Sequence, residues 1–137
     1  MEEIIKVTQQ RIPVIIGPNG QTKREIEKAT HTSLDIDSHT GDITIVGGNN
    51  YYDVYNAKKI INAISRGFSP EHAFFILKDD YTLEVISIPE VIGKNESRLA
   101  QIKGRIIGRD GSIKSLIERR FACHLSIFGK TVSIIAK

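Results

Sequence analysis

Apolar and polar positions change period several times along this chain, and each change marks an element. Ile4-Ile5-Lys6-Val7 is a short apolar run suited to a strand, and Arg11 to Ile16 reads as a short helix or turn ending at Gly17. Residues 20 to 30 carry helix formers with Ile26 and Ala29 on one face and charges on the other. A helix therefore starts at the glycine pair Gly17 and Gly20. Ser33-Leu34-Asp35-Ile36-Asp37 and Asp42-Ile43-Thr44-Ile45-Val46 alternate about Ser38-His39-Thr40-Gly41, which predicts a hairpin. Residues 50 to 65 place Val54, Ala57, Ile61 and Ile64 at helical spacing. The predicted order is strand, helix, helix, strand, strand, helix.

Gly67-Phe68-Ser69-Pro70 breaks the last of these helices, and Ser69 with Pro70 supplies a cap and first position for a short helix through Ala73, Phe74 and Leu77. Lys78-Asp79-Asp80 reads as a junction, so the expected units are residues 1–78 and 79–137. The second opens on a strand from Tyr81 to Ile88, with a helix from Ser97 to Lys103 before a second glycine pair, Gly108 and Gly111. A helix over 112–120 and two strands, Leu125-Ser126-Ile127 and Val132-Ser133-Ile134, flank a turn at Gly129-Lys130. No closing helix follows, so the second unit is expected to be C-terminally incomplete, with one apolar sheet face uncovered. The fold class is α+β.

The two glycine pairs belong to an internal repeat. Ile15-Ile16-Gly17-Pro18-Asn19-Gly20 returns as Ile106-Ile107-Gly108-Arg109-Asp110-Gly111. At the same offset Lys23 falls on Lys114, Ile26 on Ile117, Glu27 on Glu118, Leu34 on Leu125 and Ile36 on Ile127. Shared apolar and basic positions continuing past the glycines imply one supersecondary unit used twice.

With 137 residues, 40% hydrophobic and 26% charged, the composition excludes disordered, collagenous and coiled-coil chains. No apolar run is long enough for a membrane span, and the start Met1-Glu2-Glu3 is acidic where a targeting peptide needs positive charge, so a cytoplasmic protein is expected. A single cysteine, Cys123, allows no internal disulfide or cysteine-rich zinc site. The net charge is +3, but its distribution is more telling. Arg11, Lys23, Arg24 and Lys28 surround the first glycine pair against Glu25 and Glu27; Lys103, Arg105, Arg109, Lys114, Arg119 and Arg120 surround the second against Asp110 and Glu118.

A loop with glycine at its first and fourth positions, where one helix ends and another begins, lets a phosphate backbone approach main-chain N–H groups. The helix dipole and nearby cations add attraction that does not depend on sequence. Aliphatic residues beside the loop, Ile15, Ile16, Leu34 and Ile36 in one unit and Ile106, Ile107, Leu125 and Ile127 in the other, form a groove on which bases lie. Pro18 has no N–H and Asn19 no charge, whereas Arg109 reaches a phosphate directly and Asp110 opposes it, so the second unit is expected to dominate.

Ile-Ile-Gly-x-x-Gly between two helices, followed by two strands and a helix, resembles the type I KH domain, which clamps about four nucleotides of single-stranded RNA. Lys103-Gly104-Arg105-Ile106-Ile107-Gly108-Arg109-Asp110-Gly111 and Phe128-Gly129-Lys130-Thr131-Val132, beside the first unit's loop and hairpin, are similar to the archaeal Krr-like partner-of-Nob family. That resemblance implies a ribosome assembly factor with two tandem KH domains that holds the 3′ region of small-subunit (16S) ribosomal RNA. Its implied partners are the Nob endonuclease and the alpha subunit of translation initiation factor two. The candidate RNA contacts are Ile16, Gly17, Pro18, Asn19, Gly20, Lys23 and Arg24 in the first unit. In the second they are Lys103, Gly104, Arg105, Ile107, Gly108, Arg109, Asp110, Gly111, Lys114 and Lys130.

Other readings are weaker. Gly17 to Lys23 has the outline of a phosphate-binding NTPase loop, but Thr22 stands where glycine is needed and Arg24 where a magnesium-binding hydroxyl is needed. Asp35, Asp37 and His39 suggest a metal, yet alternation turns both carboxylates to solvent. His31, His72 and His124 have no partner set for catalysis, so no enzyme activity, metal or cofactor is expected. Cys123 reads as a small packing residue, and Tyr51, Tyr52 and Tyr55 as core-boundary packing. With no tryptophan and 7% aromatics, recognition by stacked aromatic strands is disfavoured. Arg119-Arg120 reads equally as a solvated helix end or an RNA contact. The alternatives within function are an accessory factor of RNA degradation or transcription, and a protein scaffold whose first unit has lost RNA contact.

Overall fold

The computed structural model describes residues 1–137, which divide into two units, Met1–Lys78 and Asp79–Lys137. The first follows the predicted order: β1 (Glu2–Lys6), α1 (Ile12–Ile16), α2 (Gln21–Thr30), β2 (Ser33–Ile36), β3 (Asp42–Val46) and α3 (Tyr51–Ser65), with a short α4 (Pro70–Ala73) after them. Tight 3-10 turns occupy Gln9–Arg11, Pro18–Gly20 and Phe74–Leu77. Ser69 caps α4 by accepting from the His72 N–H, as its sequence implies.

The strands are antiparallel in the order β1-β3-β2, with Leu34 opposite Ile45 and Ile36 opposite Ile43. Successive side chains alternate between faces, so Leu34, Ile43 and Ile45 are buried while Ile4 and Asp35 are exposed. α3 closes the buried face: Val54, Ala57, Ile61 and Ile64 are fully buried, as is Ile26 of α2. Each buried Val or Ile side chain contributes about 1.5–3 kcal/mol of burial, and the Ala57 methyl less. Arg11, counted above among the cations around the first loop, has another task. Its guanidinium donates to the carbonyls of Ile64 (2.8 Å) and Phe68 (2.9 Å), satisfying acceptors at the end of α3, and burial lowers its pKa.

Tyr51, Tyr52 and Tyr55 depart from expectation. They are 55%, 70% and 41% exposed, because the helical period turns them away from Val54 and Ala57. Tyr51 and Tyr55 stack with centroids 6.0 Å apart, and the Lys59 ammonium lies over the Tyr55 ring.

The second unit contains β4 (Thr82–Ser87), α5 (Ile88–Ile92), α6 (Glu96–Ile107), α7 (Ser112–Phe121), β5 (His124–Phe128) and β6 (Thr131–Ala136), with strand order β4-β6-β5. α5 was not foreseen. Ile88 reads as the end of the strand, but Pro89 fixes a helical φ in the first turn and Gly93 ends the helix at φ 89°. α6 also runs past Lys103, through Gly104 to Ile107. The two units differ most in their cover. α2 buries Thr22, Ile26 and Thr30, whereas α6 and α7 bury no residue, and Ile113, Leu116 and Phe121 of α7 stand 39%, 44% and 73% exposed. No helix in the chain is long and apolar enough to cross a membrane.

Candidate nucleic-acid interface

The two glycine loops are copies in backbone as well as sequence. Gly17 (φ 73°, ψ 176°), Asn19 (54°, 28°) and Gly20 (73°, 16°) match Gly108 (75°, 177°), Asp110 (55°, 29°) and Gly111 (76°, 14°). Three of the four residues in each loop have positive φ. Among side-chain-bearing residues Asn and Asp tolerate the left-handed region best, which accounts for Asp110 in a loop otherwise built to attract anions.

The glycines of each pair are not equivalent. A Cβ on Gly17 would lie 2.3 Å from Thr22 Oγ1, and one on Gly108 would lie 2.4 Å from Ile113 Cγ1. The first glycine is thus required by packing against the next helix. A Cβ on Gly111 would meet nothing within 4 Å, and one on Gly20 only the Arg24 guanidinium at 3.1 Å. The open approach lies at the second glycine of each pair.

α2 and α7 start on Gly20 and Gly111 with no side chain accepting from their first-turn N–H groups, unlike α3 and α6, which Asn50 and Asn95 cap. The Gly20 and Gly111 N–H groups turn back to the Gly17 and Gly108 carbonyls (3.2 and 3.3 Å) and those of Gln21 and Ser112 to Pro18 and Arg109, so the bare backbone there presents chiefly the positive end of the dipole. Arg109 and Asp110 are exposed beside the second start. At the first, Arg24 Nη1 donates to the Asn19 carbonyl at 2.7 Å, laying a cation across a loop that has none of its own. Ser115 occupies the matching position in the second unit.

Several expected contacts prove to be engaged. Lys23 pairs with Glu27 and Lys114 with Glu118, both at 3.5 Å. Each glutamate in turn accepts from a strand amide, Glu27 from Leu34 (2.8 Å) and Glu118 from Leu125 (2.9 Å). These lysines therefore neutralise a carboxylate that ties helix to strand. Lys103 Nζ donates to the Gly129 carbonyl at 2.8 Å. Gly104 and Arg105 are exposed on α6, and Lys130 is exposed at the β5–β6 turn.

A groove of about 390 Å³ in the first unit is lined by Gln9, Ile12, Pro13, Ile16, Gly17 and Ser38. Of the aliphatic residues assigned to grooves, Ile15, Leu34 and Leu125 are core instead, while Ile16, Ile36, Ile106, Ile107 and Ile127 are half-buried. The core positions follow from strand alternation and from the buried face of α1. Gln9, which carries no sequence signal, spans the groove by donating from Nε2 to the His39 carbonyl. Asp37 shapes the opposite wall. Its carboxylate accepts from the His39 (2.9 Å) and Thr40 (3.2 Å) amides, which hold it below the usual carboxylate range, the Thr40 bond contributing most. Since the Leu34 N–H points outward to Glu27, the period of two sends the Ile36 N–H to the same open edge of β2. Cys123 is buried, and burial, with the Glu118 charge second, pushes its thiol up, so it is no ready nucleophile.

Comparison with known proteins adds the following. Residues 2–63 match the KH domain family, and residues 82–137 match the family described as eukaryotic type KH-domain (KH-domain type I). A KH domain-containing protein of Methanocaldococcus jannaschii is 38% identical over 98% of this chain; the match spans 60% of that relative's length. The crystal structure of Dim2p from Pyrococcus horikoshii OT3 superposes with a TM-score of 0.91 at 42% identity, covering 99% of this chain and 81% of Dim2p. The a/eIF2alpha–aDim2p–rRNA complex from the same organism gives 0.92 at 42% identity, covering 100% of this chain and 76% of the matched one. A protein of unknown function from Aeropyrum pernix gives 0.94 at 31% identity, over 100% of this chain and 74% of that one.

Proposed function

This chain belongs to the family of proteins with two KH domains that includes archaeal Dim2p, and from that membership we propose that it is a cytoplasmic ribosome assembly factor binding single-stranded ribosomal RNA. The observation that carries the reading is the pair of uncapped helix starts, Gly20 and Gly111, each behind a loop of one geometry and open at its second glycine. Phosphates lie against the loops, bases lie in the groove beside Ile16 and Ile36 or Ile107 and Ile127, and the open edges of β2 and β5 meet base edges. No bond is made or broken by the chain. The target is the 3′ region of small-subunit RNA, and the partners are the alpha subunit of initiation factor two and the Nob endonuclease. The crystallised Pyrococcus complex of a/eIF2alpha, aDim2p and rRNA supports a ribosomal RNA target and the alpha subunit as partner.

The second unit carries more of the binding. Arg109 projects from its loop, whereas Pro18 offers no N–H and Arg24 is already bonded to Asn19. The KH units extend over 1–78 and 79–137, and exposed Ile113 and Phe121 fall where Thr22 and Thr30 are buried in the first unit.

Filter binding of unstructured single-stranded RNA tests this. Affinity should fall linearly on a log–log salt plot, and Gly111→Asp, which has room for its side chain, should weaken binding more than Gly20→Asp. Salt-independent or absent binding contradicts the function, and a reversed order of the two variants contradicts the ranking.

A further inference from the structure

The unforeseen helix α5 ends as the glycine loops begin. Ile88-Pro89-Glu90-Val91-Ile92-Gly93 repeats the outline of Ile12-Pro13-Val14-Ile15-Ile16-Gly17. Gly93 (φ 89°, ψ −178°) has nearly the backbone of Gly17, and its N–H donates to the Pro89 carbonyl (2.8 Å) as Gly17 does to Pro13 (2.9 Å). The next helix, however, starts at once. Asn95 caps α6 by accepting from the Arg98 N–H at 3.1 Å, so this helix start is already served. What the junction leaves is a cavity of about 280 Å³. Pro89 and Leu99 give its lining apolar side chains, and Lys94, Asn95, Glu96 and Lys130 give it polar ones, with Gly93 between.

This cavity stands on the helix that leads to the loop at Gly108. Leu99 and Lys103 lie one turn apart on α6 and both face the β5–β6 turn: Lys103 bonds the Gly129 carbonyl, and Leu99 shares the cavity with Lys130. The nine residues from Leu99 to Gly108 rise about 14 Å. α6 thus carries the cavity near its start and the glycine loop at its end, with the β5–β6 turn held beside it by Lys103. Neither Lys94 nor Lys130 is in an ion pair, and both are exposed. Pro89 and Leu99 offer apolar surface to a base, Asn95 and Glu96 hydrogen-bonding groups to its edge, and the two lysines outnumber the one carboxylate for a phosphate.

We propose that the cavity between α5, α6 and the β5–β6 turn is an additional nucleotide subsite, seating a base and its phosphate from the same strand that the Gly108–Gly111 loop holds. The subsite rests on the RNA-binding reading above and lies beyond the stretch of about four nucleotides that a KH loop clamps.

Fluorescence anisotropy with unstructured oligoribonucleotides of four and eight residues separates the two claims. The octamer should bind the wild type roughly tenfold more tightly than the tetramer. Lys94→Ala and Leu99→Ala should each remove most of that gain, Lys94→Ala should lower the octamer's salt slope by about one, and tetramer affinity should stay unchanged in both. A gain with length that survives both substitutions overturns the subsite and leaves the loop reading standing. A wild type that binds neither oligonucleotide overturns the function and the subsite with it. Lys94 is exposed, so its substitution tests the subsite even if Leu99→Ala perturbs the fold.

Discussion

Gly108 is held to glycine by two separate constraints, a positive φ and the absence of room beside Ile113, whereas only the first applies at Gly111. Gly111→Ala should therefore cost about 1–2 kcal/mol of left-handed strain, and Gly108→Ala that much plus the overlap with Ile113. Urea denaturation should give the lower midpoint for Gly108→Ala; equal midpoints would contradict the division of labour between the two glycines. At Asp37, the bonds from Thr40 and His39 favour the ionised carboxylate and lower its pKa. A depressed pKa means that the order it gives the hairpin turn is present above the ordinary Asp value and is lost as pH falls through the lower folded value. Followed by NMR, the His39 and Thr40 amides should titrate with a midpoint below that of an unperturbed aspartate. A midpoint at or above it would show that the turn does not depend on this carboxylate.

Among elements, the repeated tie from helix to strand is the most informative. Glu118→Ala leaves the Leu125 N–H without its acceptor and should cost about 1–3 kcal/mol, with faster hydrogen exchange at Leu125. Lys114→Ala removes only a half-exposed pair worth about 0.3–0.5 kcal/mol. Comparable losses for the two would mean that the lysine, not the glutamate, fastens β5. The spacing of Lys114 and Glu118 is plain in the sequence, but the glutamate's bond to an amide seven residues further on is a tertiary fact that no local pattern reports. For that reason Lys23 and Lys114 read as phosphate contacts. α5 is hidden in the sequence for a related cause. Its one turn of apolar residues continues β4 without a change of hydropathy, and only its likeness to Ile12–Gly17 marks it.

For the molecule as a whole, the order of elements apart from α5, the hairpins and both loops were legible because glycine, proline and strand alternation act locally. Burial was less so. Ile15 and Leu34 look like groove residues until the sheet register and the closing helix put them in the core, and the exposure of Tyr51, Tyr52 and Tyr55 depends on which face of α3 meets the sheet. The account stands on the second loop and its helix start as the seat of the RNA backbone. Titrating the isotopically labelled chain with single-stranded RNA while recording amide shifts tests it most directly. The largest changes are expected from Gly108 to Lys114, with smaller ones from Gly17 to Arg24. Amides from Gly108 to Lys114 that stay in place while the sample remains folded would contradict it.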